Sequence, residues 1–246
     1  MKKIVATIEA RMTSSRLPGK VLLPAAGRPM LAHLLDRLKS VKEIDEIVLA
    51  TTVNKIDDPL VDFAKRAGVS VFRGDEEDVM GRVIGAAKKA NADIVVEITA
   101  DCPLIDPDII SQAINTYLQN PCDYLSNVMI RSYPDGMDVQ VFPLSVLEDS
   151  AGLTQDHLDR EHVSLYIRNH PEKYKQIHLL PPQKLYWPEL GLTLDDMADY
   201  ELIKKIMEHF HQHNKAIFSC GDILELLHKN KEWLEINAHV KRKGNS

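Results

Sequence analysis

The chain has 246 residues, enough to bury a substantial core as one large α/β domain or two small ones. Its formal net charge of −6 argues against nucleic acid as the main partner, though not against a small anionic ligand. No apolar run approaches the ~20 residues of a membrane span, and Glu9 and Arg11 interrupt the first apolar stretch too soon for a signal peptide. Three cysteines without a C-x-x-C pair suit a reducing compartment, so the expected location is cytoplasmic, with no membrane partner.

The first element is a strand, Ile4 to Ile8, that empties into a small-residue loop carrying Arg11, Arg16 and Lys20. Ser and Gly in such a loop let backbone N–H groups turn inward, and three spaced cations neutralise the charge of a polyphosphate. The loop is neither a Walker sequence, G-x(4)-G-K-[ST], nor a G-x-G-x-x-G fingerprint. Its position carries the argument, because loops at the carboxyl ends of strands in open α/β sheets are where ligands bind.

Pro29 suits the first turn of a helix whose Met30, Leu31, Leu34, Leu35 and Leu38 share one face. Strands follow at Ile47 to Thr51, Val69 to Phe72 and Ile94 to Ile98, alternating with helices at Pro59 to Ala67, Asp78 to Asn91 and Pro107 to Gln119. That alternation specifies a mostly parallel sheet with crossover helices. Arg82 is placed to pair with Asp78 at i,i+4. Beyond Asn127 the pattern changes. Tyr133-Pro134-Asp135-Gly136 reads as a turn, Met137 to Phe142 alternates like a strand in a hairpin, and the sheet becomes mixed. Asp159 to Asn169 is a helical candidate, Lys184 to Leu194 reads as extended, and Met197 to His213 is a helix. Ile223, Leu224, Leu226, Leu227 and Trp233 form a helical cap or interface element, and disorder is expected only at Lys241 to Ser246.

Two aspartates end strand-like runs: Asp101 after Ile94 to Ile98, before Cys102-Pro103, and Asp195 after Leu192-Thr193-Leu194. An isolated aspartate in such a place is ordinarily a turn or cap residue. Asp106, ahead of Pro107, reads as a cap, and Asp199 as a helix-start or supporting residue.

The segment from Ile8 to Lys20 resembles the nucleotide loop of sugar nucleotidyltransferases, and most closely the SpsF-like, spore-coat polysaccharide branch of the cytidylyltransferases, whose members look like I-Q-A-R-M-x-S-x-R-L-P-G-K. Further matching stretches follow in order: Phe72-Arg73-Gly74 with Asp78-Val79, Thr99 to Pro107, Tyr133 to Val139, Asp159 to Val163, and Leu192 to Asp195 with Asp199-Tyr200-Glu201. The resemblance spans Ile4 to Phe210. Glu9 stands where the family more often has Gln, and Met80-Gly81 departs from the motif after Asp78.

The resemblance implies a three-layer α/β/α, Rossmann-like nucleotide-diphospho-sugar transferase fold with a mostly parallel mixed sheet. It implies one domain over 1–246, with an acceptor-binding and dimerisation insertion around 127–189, and a homodimer. The implied reaction is CTP plus an acidic sugar giving a CMP-sugar and pyrophosphate, for surface polysaccharide or glycan biosynthesis. Asp101 and Asp195 would hold Mg²⁺, which takes one or two carboxylates plus waters and phosphates. Arg11, Arg16 and Lys20 would hold the triphosphate, within a nucleotide site formed by Ala10, Met12, Ser15, Thr51, Thr52, Asn54, Arg73, Gly74, Asp78, Arg82 and Asp101. On the acceptor side Arg160 would bind the sugar carboxylate, and His162 would hydrogen-bond or deprotonate a hydroxyl. Glu161, Asp135, Asp138 and Gln140 would add contacts. Two alternatives remain at this stage: the same fold acting on a sugar phosphate with another nucleotide, such as GTP, and a non-catalytic nucleotide-sugar-binding protein.

Overall fold

The computed structural model describes residues 2–241. In the first half, strands β1 (Ile4–Glu9), β4 (Glu46–Thr52), β5 (Ser70–Gly74) and β6 (Ile94–Thr99) alternate with helices α1 (Met30–Lys39), α2 (Asp58–Arg66), α3 (Val79–Lys89) and α4 (Pro107–Gln119), and a two-residue pair, β2 (Pro24–Ala25) and β3 (Arg28–Pro29), precedes α1. The second half contains β7 (Tyr124–Ser126), β8 (Gln140–Pro143), α5 (Leu144–Leu153), α6 (His157–Glu161), α7 (Leu165–Asn169), β9 (Gln176–His178), α8 (Met197–Gln212) and α9 (Cys220–Lys229).

Seven strands form one sheet in the order β5-β4-β1-β6-β8-β7-β9. β5, β4, β1 and β6 are mutually parallel, and β8 runs antiparallel to both β6 and β7. Alternation along the strands sends Ala6, Ile8, Val96 and Ile98 to a core packed under α1, α4, α8 and α9. Val5, Val48, Ala50 and Val95 go to the opposite core, against Met80, Val83 and Ala87 of α3 and Ile167 of α7. Helices on both faces explain why β1 is apolar and buried from Ile4 to Ile8 rather than alternating with polar residues. Its polar exception, Thr7, is fully buried. No helix among the described residues is long and apolar enough to cross a membrane.

Three expected elements differ. The helix read over 159–169 is two short helices, α6 and α7, because Val163 adopts φ 44 between them. The turn at 133–136 does not close a hairpin: Asp135 forms a parallel bridge to Gly191, and regular pairing begins only at Gln140. The extended reading of 184–194 gives way to a 3₁₀ turn, Gln183–Leu185, followed by irregular chain around that bridge. The disorder expected for the C-terminal tail lies outside the described residues beyond Lys241.

Candidate active site

Where β1 ends, the Met12 N–H donates to Asp57 Oδ1 at 2.6 Å and the Gly19 N–H to the Met12 carbonyl at 2.9 Å. Gly19 closes the loop at φ 70, a conformation that glycine reaches without a Cβ clash, and Lys20 starts a 3₁₀ turn directly after it. The loop therefore leaves Lys20 in a fixed direction. Its Nζ lies 3.0 Å from Asp101 Oδ2 and 3.2 Å from Asp195 Oδ1, and Arg16 Nη2 is 3.0 Å from the same Asp195 oxygen.

Two motifs 94 positions apart meet here through the backbone. The Leu194 N–H donates to the Asp101 carbonyl at 2.8 Å, which delivers Asp195 to the end of β6. One step back, Asp135 N–H donates to the Leu190 carbonyl at 2.9 Å and Leu192 N–H to the Asp135 carbonyl at 2.7 Å. Gly136, at φ 104, lets the two segments come this close, since a Cβ there would sit 2.7 Å from the Leu192 carbonyl carbon.

Burial opposes the charge on Lys20, but Asp101 and Asp195 outweigh it and raise its pKa above the usual lysine value. Burial likewise opposes ionisation of Asp101, and Lys20 reverses this to hold its pKa below the usual range. Lys20 and Asp101 are thus both charged at neutral pH. Two carboxylates that reach one ammonium can also reach one divalent cation, so the donor set fits Mg²⁺. No group of three or more His, Cys, Asp or Glu side chains forms a ready-made metal cage among the described residues.

These residues border an open cavity of about 370 Å³. Of the residues expected to bind nucleotide, Ala10, Arg11, Ser15, Arg16, Lys20, Arg82 and Asp101 line it. Met12, Thr51, Thr52, Asn54, Arg73, Gly74 and Asp78 do not line it. Thr52 donates its hydroxyl to buried Asp57, and Arg73 donates to the Thr52 and Asn54 carbonyls and to Asp58. Asn54 donates to Glu76. These side chains brace the loop rather than face the cavity. Arg82 does not pair with Asp78; its Nη1 donates to the Asp75 and Glu76 carbonyls, both at 2.6 Å.

Of the residues expected to contact an acceptor, Gln140, Glu161 and His162 line the cavity. Asp138 is held by Arg131 at 2.6 Å, and Asp135 lies 3.5 Å from the same guanidinium. Arg160 is also engaged elsewhere: its Nε and Nη2 donate to the two Asp78 oxygens at 2.8 and 2.6 Å. Burial disfavours the Asp78 charge, but Arg160 more than compensates and lowers its pKa. The break at Val163 brings a different arginine to the cavity, Arg168 of α7.

Sequence reasoning also missed Ser14, Glu97 and Thr99, which share the lining. Glu97 had a visible signal, a carboxylate inside the otherwise apolar run Ile94-Val95-Val96. Only 4% exposed, its carboxyl is pushed by burial up to about 8, against the opposing pull of Arg168 and a hydrogen bond from Gln140. Glu9 lies on the neighbouring strand with both carboxyl oxygens buried and unpartnered, and burial together with Glu97 raises its pKa well above the usual range.

The three-layer architecture, with a loop at the end of β1 and two acids at the ends of later segments, is the Rossmann-like nucleotidyltransferase fold. The model of the cytidylyltransferase family matches residues 5–228, and the chain belongs to that family. The spore coat polysaccharide biosynthesis protein SpsF of Bacillus subtilis is 32% identical over 237 residues, covering 94% of this chain and 97% of SpsF. A solved cytidylyltransferase structure from Leptospira borgpetersenii superposes with a TM-score of 0.90 at 36% identity, covering 95% of this chain and 97% of that one. A CMP:2-keto-3-deoxy-manno-octonic acid synthetase, solved in complex with CTP, shares the fold at a TM-score of 0.61 and 20% identity, over 84% of this chain and 99% of that one.

Proposed function

We propose that this protein transfers CMP from CTP to an acidic sugar, releasing pyrophosphate and forming a CMP-sugar for surface polysaccharide or glycan synthesis. The observation that carries the reading is the convergence of Lys20 on Asp101 and Asp195 at a cavity that also presents Arg11 and Arg16. Family membership and the CTP complex of the distant synthetase support the choice of nucleotide.

In this reading Asp101 and Asp195 hold Mg²⁺, which supplies charge neutralisation at the phosphates when bound. Arg11, Arg16 and Lys20 bind the triphosphate and stabilise charge developing on the departing pyrophosphate. Ala10 and Ser15 border the nucleotide, with Met12, Thr51, Thr52, Asn54, Arg73 and Asp78 supporting it from behind. The acceptor hydroxyl attacks in line, with His162 and Gln140 beside it, so no covalent enzyme intermediate is required.

The chain acts as one domain whose 127–189 segment serves the acceptor and a homodimer contact. Gln140, Glu161 and His162 in the cavity support the first role. Exposed Ile130, Leu158, Leu180 and Tyr186 support the second, which light scattering tests. Pyrophosphate release measured with four nucleoside triphosphates and a panel of sugar acids tests the reaction itself. Release only with GTP and a neutral sugar phosphate, or with no combination at all, would overturn it.

A further inference from the structure

The cavity cations are not equivalent. Arg11, Arg16 and Lys20 each lie within 3.4 Å of an acidic side chain, Glu76, Asp195 and Asp101 respectively. Arg82 donates to two backbone carbonyls and lies on the Arg11 side of the cavity, facing Glu9. Arg168 differs from all of these. It lines the cavity beside His162 and Gln140, its Nε, like that of Arg82, is buried without a hydrogen-bond partner, and its guanidinium makes neither a hydrogen bond nor an ion pair among the described residues. A guanidinium left unsatisfied at the wall of a polar cavity is costly unless a ligand completes it.

We propose that Arg168, and not Arg160, receives the carboxylate of the acceptor sugar, in a subsite that it shares with Glu97 and Gln140. This deepens the reading of the preceding section and rests on it. Arg160 is saturated by the bidentate Asp78 pair, whereas the Arg168 fork is open to a planar, bidentate partner. Gln140 is oriented for the same task. Its Oε1 accepts from the Tyr124 and Ser164 hydroxyls, so its amide N–H groups are turned away from them, toward Glu97.

Glu97 decides whether Arg168 is available. An ionised Glu97 would compete for the guanidinium and repel an incoming carboxylate. The groups facing it are Glu9 from β1, Gln140 from β8, Tyr124 from β7, Arg168 from α7 and Asp101 beyond the end of its own strand. Burial, against the opposing pull of Arg168 and Gln140, keeps the proton on Glu97 at neutral pH, leaving the Arg168 charge for the ligand and an O–H to donate beside it.

The test is steady-state pyrophosphate release with CTP and a sugar acid or its carboxamide, in the wild type and in Arg168→Lys, Arg168→Gln, Arg160→Ala and Glu97→Gln. Arg168→Gln should raise the acceptor KM about 10- to 100-fold, with the CTP KM changed less than about threefold, and should abolish the preference for acid over carboxamide. Arg168→Lys should fall between, since it keeps the charge and loses the fork. Arg160→Ala should keep the preference. Wild-type acceptor KM should rise as the pH passes about 8 and Glu97 ionises, whereas Glu97→Gln should stay flat over about pH 7 to 9.

If folded Arg168 variants keep the acid preference, or the pH response survives in Glu97→Gln, the assignment is overturned while the cytidylyl transfer stands. If the wild type releases pyrophosphate from CTP with no sugar acid, the underlying reading falls and the assignment with it.

Discussion

Replacing Lys20 by Met should move metal affinity and turnover in opposite directions. The Lys20 ammonium touches Asp101 at 3.0 Å and Asp195 at 3.2 Å, so in the ligand-free protein it occupies the place between the two carboxylates where a divalent ion would bind. Each contact at ~3 Å is worth about 5 kcal/mol at an effective dielectric of ~20. The carboxylates are 29% and 20% exposed, and solvent screening reduces the net effect to about 1 kcal/mol per pair. Lys20→Met should therefore tighten binding of Mn²⁺, used as a calorimetric probe, by about 30-fold without nucleotide. Turnover should nevertheless fall by about 100-fold or more, because in the proposed reaction the charge lost is one that stabilises the departing pyrophosphate. Isothermal titration calorimetry reads the first quantity and pyrophosphate release the second. Unchanged or weaker Mn²⁺ binding in a folded Lys20→Met protein would refute the competition between the ammonium and the metal.

Asp101→Asn and Asp195→Asn should each abolish most turnover while the fold persists by circular dichroism, and the double variant should be little worse than either single one, as expected for two ligands of one ion. Arg160→Ala should lower stability by about 1 kcal/mol, measured by urea unfolding, after allowance for the partial exposure of the pair. Because the Asp78 pKa is lowered in the folded protein, that contribution is present above the ordinary aspartate value and fades as pH falls through the folded one, so the stability gap between wild type and variant should close on acidification. Gly136→Ala should cost about 2–4 kcal/mol in thermal unfolding, since φ 104 is strained for alanine and the new Cβ would meet the Leu192 carbonyl carbon.

The parallel half of the sheet was legible because buried parallel strands are short apolar runs and their crossover helices have capped, periodic faces. The structure places α4 over Pro107–Gln119, as the sequence indicates, with Asp106 as its cap accepting from the Asp108 N–H. The loop cations and both strand-end aspartates were legible because they fall in ordered motifs, and the structure brings Lys20, Arg16, Asp101 and Asp195 together. What stayed hidden depends on partners remote in sequence. Nothing local marks Thr52 and Met12 as sharing buried Asp57, or Asp78 as the partner of an arginine 82 positions later. The φ of 44 at Val163 is adopted by a β-branched residue, against local preference, so the helix break that exchanges Arg160 for Arg168 left no signal in the chain.

The hydrogen bond from Leu194 to the Asp101 carbonyl has a consequence for the order in which the protein is made. Synthesis runs from the amino terminus, and the strands β1, β4, β5 and β6 with the cationic loop after β1 are complete by Thr99. A nascent chain can therefore carry the loop and Asp101 well before it carries Asp195. The second acid arrives only when the late segment docks, a long-range closure that is slow compared with local helix formation. A ribosome-bound fragment would present the cations without the paired acids, and the complete charge arrangement becomes a property of the finished molecule.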